Sequence, residues 1–513
     1  MIYLALLAAG FAACEPEFDH EISNADYSSG EANFTTYVAV GNSLTAGYMD
    51  GTVSRVGQSY SYPSILAKQF ALVGGGAFTQ PSFDDDVNNL GGLVLGGQPI
   101  AATRLIIDAG AGGPENIAGT STIEVSKLQA KAFNNMGVPG AKTYHLLAAG
   151  YGNVAGVATG KSNPYFVRTA TTPAATVLGD AMSLNPTFFT NWIGSNDVLL
   201  YALDGGTGVD QAGNVNPATY AQHDITDPNV FASAYNTILT TLTSAGAKGV
   251  VSTIPNVTSI PHFTTVPFNP LSPAALGGSA TIQALNAQLY GPVNKILTAY
   301  GQGNRISLLT DTAANPVIIK DETLTDLSAQ ITGALKAAGQ PDATAAFIGA
   351  TYGQVRQATA ADLILLPASS LIGKAPAGIP APFNVYGVTY PLGDNLVLIP
   401  SEIALINTAT TNFNNSIRTI AASKGVAVAD MNAILQQLVS GLKLQDGSIY
   451  TANYFSTATI STVVFSLDGV HPNARGYALI ANEIIKVINE FYHAKLPAVD
   501  PAYYPGATVL PSN

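Results

Sequence analysis

Tyr37-Val38-Ala39-Val40-Gly41-Asn42-Ser43-Leu44-Thr45-Ala46-Gly47 is the stretch on which the reading of the fold turns. Four apolar or aromatic residues run into a glycine, a small polar pair and a second glycine. A continuous apolar run this short reads as a strand buried on both faces, the kind that parallel sheets contain. Gly41 ends it and leaves Ser43 at the carboxyl end of a central strand, where open α/β sheets hold their ligands.

Similar runs recur along the chain. Thr187 to Ile193 is a second buried strand, stopped by Gly194; Gly249 to Ile254 is a third, closed by Pro255; Val426 to Asp430 is another. Helical patterns lie between them. Tyr62 to Phe70 opens with Pro63. Phe231, Tyr235, Ile238, Leu239 and Leu242 form an amphipathic stripe. Residues 281–300 and 401–424 read as helices, and a last helix begins near Asn473, with Tyr477, Ile480, Ala481, Ile484, Ile485 and Ile488 on one face. Asn286 to Asp311 and Asn407 to Asp430 both read as helix, small-residue turn and strand. Strands alternating with helices predict βαβ units and a mainly parallel sheet.

The 513 residues allow one large domain with insertions, and an apolar content of 47% against 11% charged residues suits a sizeable core. A net charge of −12, with no cluster among 21 basic residues, argues against nucleic acid as a partner. From Gly74 to about Lys131 the chain is Gly-rich and reads as an irregular insertion. Its Asp84-Asp85-Asp86 reads as a solvated loop, because the Gly and distal Glu of an EF-hand loop are missing. The pattern loosens again between 301 and 400, and the Pro-containing tail, 496–513, is expected to wrap the surface or fray.

The single cysteine, Cys14, closes an apolar run that starts at Ile2 and is too short for a bilayer, which needs roughly 20 residues. Phe11-Ala12-Ala13-Cys14 resembles the lipobox of bacterial lipoproteins. Glu15, Glu17 and Asp19 resemble the acidic export signal of surface lipoproteins in Bacteroidota. These resemblances imply a signal peptide over 1–14, lipidation of Cys14, a tether over 15–34 and anchoring in the bacterial outer membrane, possible surface display included. One cysteine also rules out an intramolecular disulfide and a Cys-based zinc site.

Among chemical motifs, Gly156 to Ser162 resembles a phosphate-binding loop but is one residue short between its glycines, and Pro164 interrupts the helix that must follow. G-x-S-x-G and H-E-x-x-H are absent. Five histidines, His20, His145, His223, His262 and His493, have no evident partner. His471 stands in Leu467-Asp468-Gly469-Val470-His471-Pro472-Asn473, ahead of the last helix, with Asn473 placed to cap it. An aspartate at i−3 can accept the imidazole Nδ1–H and leave Nε2 as a base. Gly194-Ser195-Asn196-Asp197 offers an uncharged double donor, Asn196, at the end of a strand. Asn134 to Thr143 reads as a tight turn entering a helix, whose glycines permit a close backbone approach.

Taken in order, these blocks resemble the SGNH hydrolase family, the GDSL-type lipases and esterases. Gly41-Asn42-Ser43-Leu44 matches Gly-Asp-Ser-Leu, Gly140 (with Gly137 as runner-up) the glycine of the second block, Gly194 to Asp197 the Gly-x-Asn-Asp block, and Asp468, His471 and Pro472 the last. Asn42 departs from the family's aspartate, which puts the geometry of that turn in question. The resemblance implies an α/β/α sandwich around a flavodoxin-like five-stranded parallel sheet. It would span 35–495, with large insertions at about 71–130 and 301–400. It implies a Ser43–His471–Asp468 triad, an oxyanion hole of Ser43, Gly140 and Asn196, an ester substrate that is a lipid or an acylated glycan, and no metal or cofactor. Deacetylation of polysaccharide, or a surface lipoprotein that binds glycan or lipid without turnover, are the alternatives. Whether the insertions build a lid, an acyl groove or a polysaccharide cleft stays open.

Overall fold

The computed structural model describes residues 27–108, 113–444, 447–456 and 458–510. The signal-peptide stretch, Cys14 and the first part of the expected tether lie outside them. Five parallel strands form the central sheet: β1 (Tyr37–Gly41), β2 (Asn135–Gly137), β3 (Phe188–Trp192), β4 (Lys248–Ser252) and β5 (Ala427–Ala429). Their spatial order is β5-β4-β3-β1-β2. Tyr37 pairs with Phe188, Ala39 with Asn135, Phe188 with Lys248, and Ala427 with Val250. The principal helices are α1 (Ser43–Ala46), α2 (Tyr62–Ala71), α3 (Asn196–Leu203), α4 (Pro228–Thr243), α5 (Pro400–Ser423), α6 (Met431–Ser440) and α7 (Ala474–Phe491).

The apolar runs exist because both faces of the sheet are covered. Successive side chains of a strand point to opposite faces. Val38, Val40, Phe189 and Val251 join one core with Phe231, Tyr235 and Ile238 of α4 and Phe413 and Ile417 of α5. Tyr37, Ala39, Phe188 and Val250 join the other with Ile65, Leu66 and Phe70 of α2 and Tyr477, Ile484 and Ile488 of α7. Ile484 is 1% exposed, so truncating it to Ala costs about 2–5 kcal/mol. This is the expected flavodoxin-like α/β/α arrangement.

Several expectations change. The segment read as a turn entering a helix contains β2, and the turn that follows leads to a short 3-10 helix, Thr143–Leu147. Asn135-Met136-Gly137 is too short and polar to announce a strand; its pairing with β1 makes it one. Residues before 301 pack together with the segment expected as the second insertion. Ile282, Leu289, Val293 and Leu297 bury against Val317, Ile318 and Ile331 in a separate core that ends at Ile399. The strand expected ahead of Asp311 does not form.

The first insertion is less irregular than its glycines suggest. It holds two short antiparallel pairs, Leu93–Leu95 with Gln98–Ala101 and Leu105–Asp108 with Pro114–Asn116. Asp84 and Asp85 are exposed, but Asp86 is buried and accepts from the backbone N–H groups of Arg55, Leu90 and Gly91. The fold also begins before residue 35: Phe34 is buried and stacks on Phe70 at 4.0 Å. Beyond residue 496 the tail wraps the surface, with Val509 paired to Ile107. Among the described residues no helix is long and apolar enough to cross a membrane.

Candidate active site

Ser43 is the first residue of α1, a single turn laid directly over the ends of β1 and β2. Two glycines make room for it. A Cβ on Gly41 would lie 2.1 Å from Thr45 Oγ1, and one on Gly137 would lie 2.3 Å from the backbone nitrogen of Ala46. Gly137 is therefore explained by packing. Asn42 caps the turn: its Oδ1 accepts from the Leu44 N–H at 3.0 Å, a bond an aspartate would make equally well. The turn that the Asn42 departure put in question thus forms. The amide Nδ2 of Asn42 is buried and, among the described residues, unpartnered.

The loop before α7 meets this turn. His471 Nε2 lies 2.9 Å from Ser43 Oγ, and His471 Nδ1 lies 2.9 Å from Asp468 Oδ2. Asp468 is held from several directions. Its Oδ1 accepts from the N–H groups of Val470 and His471, each at 2.9 Å, and from Ser466 Oγ at 3.0 Å; Oδ2 also accepts from the Gly51 N–H at 3.1 Å. Burial alone would push this carboxyl up, but the adjacent His471 imidazole and these donors outweigh it and hold it at about 2. Asp468 is thus an anion across the neutral range. The Tyr48 ring packs 4.5 Å from the imidazole, and Tyr477 Oη donates to the Tyr48 carbonyl at 2.7 Å.

One residue of this network had no sequence signal. Asp50 sits in a left-handed backbone conformation (φ 55°), and its Oδ1 accepts from the Leu467 N–H at 3.0 Å. Its own N–H donates to Ser466 Oγ at 3.0 Å. Burial, reinforced by the charge of Asp468, pushes the Asp50 carboxyl up to about 6. It fastens the loop of Asp468 to the loop after Ser43.

Asn196 opens α3 after Gly194, and its Nδ2 donates to the Ala141 carbonyl at 2.9 Å. Its neighbour Asp197, fully buried, accepts from both the N–H and the Oγ1 of Thr143 at 2.8 Å. The Gly194–Asp197 block thereby pins the turn that carries Gly140. Gly140 itself has φ +78° and lines a neighbouring groove with Lys142, Tyr144 and Tyr151, whereas Ser43, Asn196 and His471 share one cleft.

The other described histidines have neighbours too, the exposed His493 a distant one, Glu31 at 4.0 Å. His145 stacks on Tyr151, His223 pairs with Asp204 at 2.6 Å, and the His262 ring meets Phe263 edge-on while its backbone N–H donates to the Gly469 carbonyl. Among the described residues one acidic group, Glu322, Asp394 and Glu402, is close enough to share a cation. It does not line the Ser43 cleft.

Comparison with known proteins adds one match. The sequence model of the GDSL-like Lipase/Acylhydrolase family matches residues 325–484. That stretch contains Asp468 and His471; Ser43, Gly140 and Asn196 lie outside it. Neither the curated proteins nor the solved structures yielded a match. The flavodoxin-like sheet order is consistent with the family match.

Proposed function

We propose that the protein hydrolyses carboxylic esters, with Ser43 as nucleophile. The observation that carries this reading is the continuous chain from Ser43 Oγ through His471 to Asp468, at 2.9 Å for each step. Ser43 Oγ attacks the ester carbonyl carbon while its proton passes to His471 Nε2. The tetrahedral intermediate collapses, the C–O bond to the alcohol breaks, and His471 returns the proton to the leaving oxygen. Water then attacks the acyl-serine with His471 again as base, releasing the acid and restoring Ser43. Asp468 fixes the imidazole tautomer and stabilises its charged form.

The oxyanion is assigned to the backbone N–H groups of Ser43 and Gly140 and to Asn196, whose amide is oriented by Ala141 and keeps a second N–H. Removing one such donor typically raises the barrier by roughly 2.7–4 kcal/mol. Ser43→Ala and His471→Ala should each abolish hydrolysis of p-nitrophenyl butyrate while far-UV circular dichroism stays unchanged. Retained turnover in either variant overturns the assignment. The lipobox-like segment supports anchoring through Cys14 in the bacterial outer membrane; a Cys14→Ser protein that stays with the membrane fraction argues against it.

A further inference from the structure

Ser43 and His471 open into a common cleft. The composition of its walls is one-sided. Among the described residues that line it, none is Asp, Glu, Lys or Arg. Its small polar side chains are the reactive set and immediate chain neighbours: Ser43 with Asn42, Asn196 with Ser195, and His471. The rest of the lining is apolar or aromatic.

One wall is helix α6. Met431, Ile434, Leu435 and Leu438 recur at i, i+3, i+4 and i+7, the spacing of a single helical face, and all four line the cleft. Leu479 and Ile480 of α7 also line it, so that two helices contribute apolar side chains to open space. The neighbouring groove that Gly140 lines is of another character, with Lys142, Tyr144, Asn163 and Tyr220 among its residues. A sugar or other polyhydroxylated group placed in the apolar cleft would lose its hydrogen bonds to water without replacement. A hydrocarbon chain there has no hydrogen bonds to lose and removes apolar surface from water.

We propose that this cleft binds the fatty acyl chain of the ester, and that Ile434 on α6 and Ile480 on α7 set how well a chain of eight or more carbons is accepted. The assignment rests on the ester-hydrolase reading above. It selects among that reading's substrates: an acyl chain well beyond acetyl, carried on a polar alcohol, rather than the acetyl group of a polysaccharide.

The test is a kcat/KM series on p-nitrophenyl acetate, butyrate, octanoate and dodecanoate, with octyl acetate and ethyl octanoate as a reversed pair. Each buried methylene improves binding by a few-fold, so kcat/KM should rise by at least about tenfold from acetate to octanoate. Ethyl octanoate should be preferred over octyl acetate. Ile434→Trp and Ile480→Trp, at half-buried positions that line the cleft, should each lower the octanoate-to-acetate ratio at least about fivefold. Thermal melting selects whichever variant is folded. A series that peaks at acetate, or a preference for octyl acetate, overturns the acyl assignment; Ser43 labelling by a fluorophosphonate probe would then still support the hydrolase reading. Failure to turn over any ester together with failure to label would remove the hydrolase reading itself, and the acyl site with it.

Discussion

His471 Nε2 lies 2.9 Å from Ser43 Oγ although 428 positions separate the two residues. Neither loop could find the other by local interaction. Ser43 stands at the end of β1 because that strand is buried on both faces, and His471 precedes α7, whose apolar stripe packs on one of those faces. The contact is therefore a consequence of the sheet, and under the proposed mechanism the residues that hold the two loops in register should matter as much as the pair itself.

Asp468 is the first of these. Asp468→Asn removes the negative charge beside the imidazole and turns an amide N–H toward donors that now point at a carboxylate. We expect kcat to fall by roughly 10³–10⁴ with KM little changed. The carboxyl is held at about 2, below its ordinary 3.8, so its contribution to stability is present above about pH 4 and is lost as the pH falls toward 2. Acid unfolding curves of parent and variant should accordingly differ near neutrality and converge at about pH 2. A variant with near-parental kcat would contradict the role.

Asp50 is the second. Asp50→Ala leaves the buried Leu467 N–H without its acceptor, which costs about 1–3 kcal/mol and loosens the loop that carries Asp468. The predicted signature is a fall in kcat of about tenfold or more with KM nearly unchanged. Asp50→Asn, which keeps the acceptor oxygen, should restore most of it. Equal losses in both variants would show that the charge, rather than the bond to Leu467, matters.

Glu402 gives a prediction remote from catalysis. Burial, then the charges of Glu322 and Asp394, push its carboxyl up to about 8 from an ordinary 4.5, while its Oε2 accepts from the Ile399 N–H at 2.8 Å. The folded state holds this proton where the unfolded state has lost it, so stability falls as the pH rises from about 4.5 to 8. Glu402→Gln keeps the acceptor and removes the charge. Melting temperatures should favour the variant at pH 8 and converge below about pH 4; a variant less stable at pH 8 would refute the account.

What could be read from the chain follows the same physics. Strands β1 and β3 were legible because burial on both faces leaves an uninterrupted apolar run. Strand β2 was not, since Asn135-Met136-Gly137 is a strand only through its pairing with β1. The helical pattern over 281–300 was legible, but not the core that Ile282 and Leu297 share with Val317 and Ile331, since that packing joins residues far apart in the chain. The contact of Asp468 with His471 is a local matter of three residues. The bond from Leu467 to Asp50 spans 417, and a lone aspartate between Met49 and Gly51 carries no mark of it. The spacing of Met431, Ile434, Leu435 and Leu438 stands in the sequence, but a stripe that lines a cleft is written in the same residues as one that packs a core.

The most direct measurement of the central claim is the site of covalent capture. The purified protein is incubated with a fluorophosphonate, digested, and its peptides mapped by mass spectrometry. One adduct is predicted, on Ser43, absent from Ser43→Ala and strongly slowed in His471→Ala. An adduct on another residue, or an unmodified Ser43 in folded protein, would contradict the assignment.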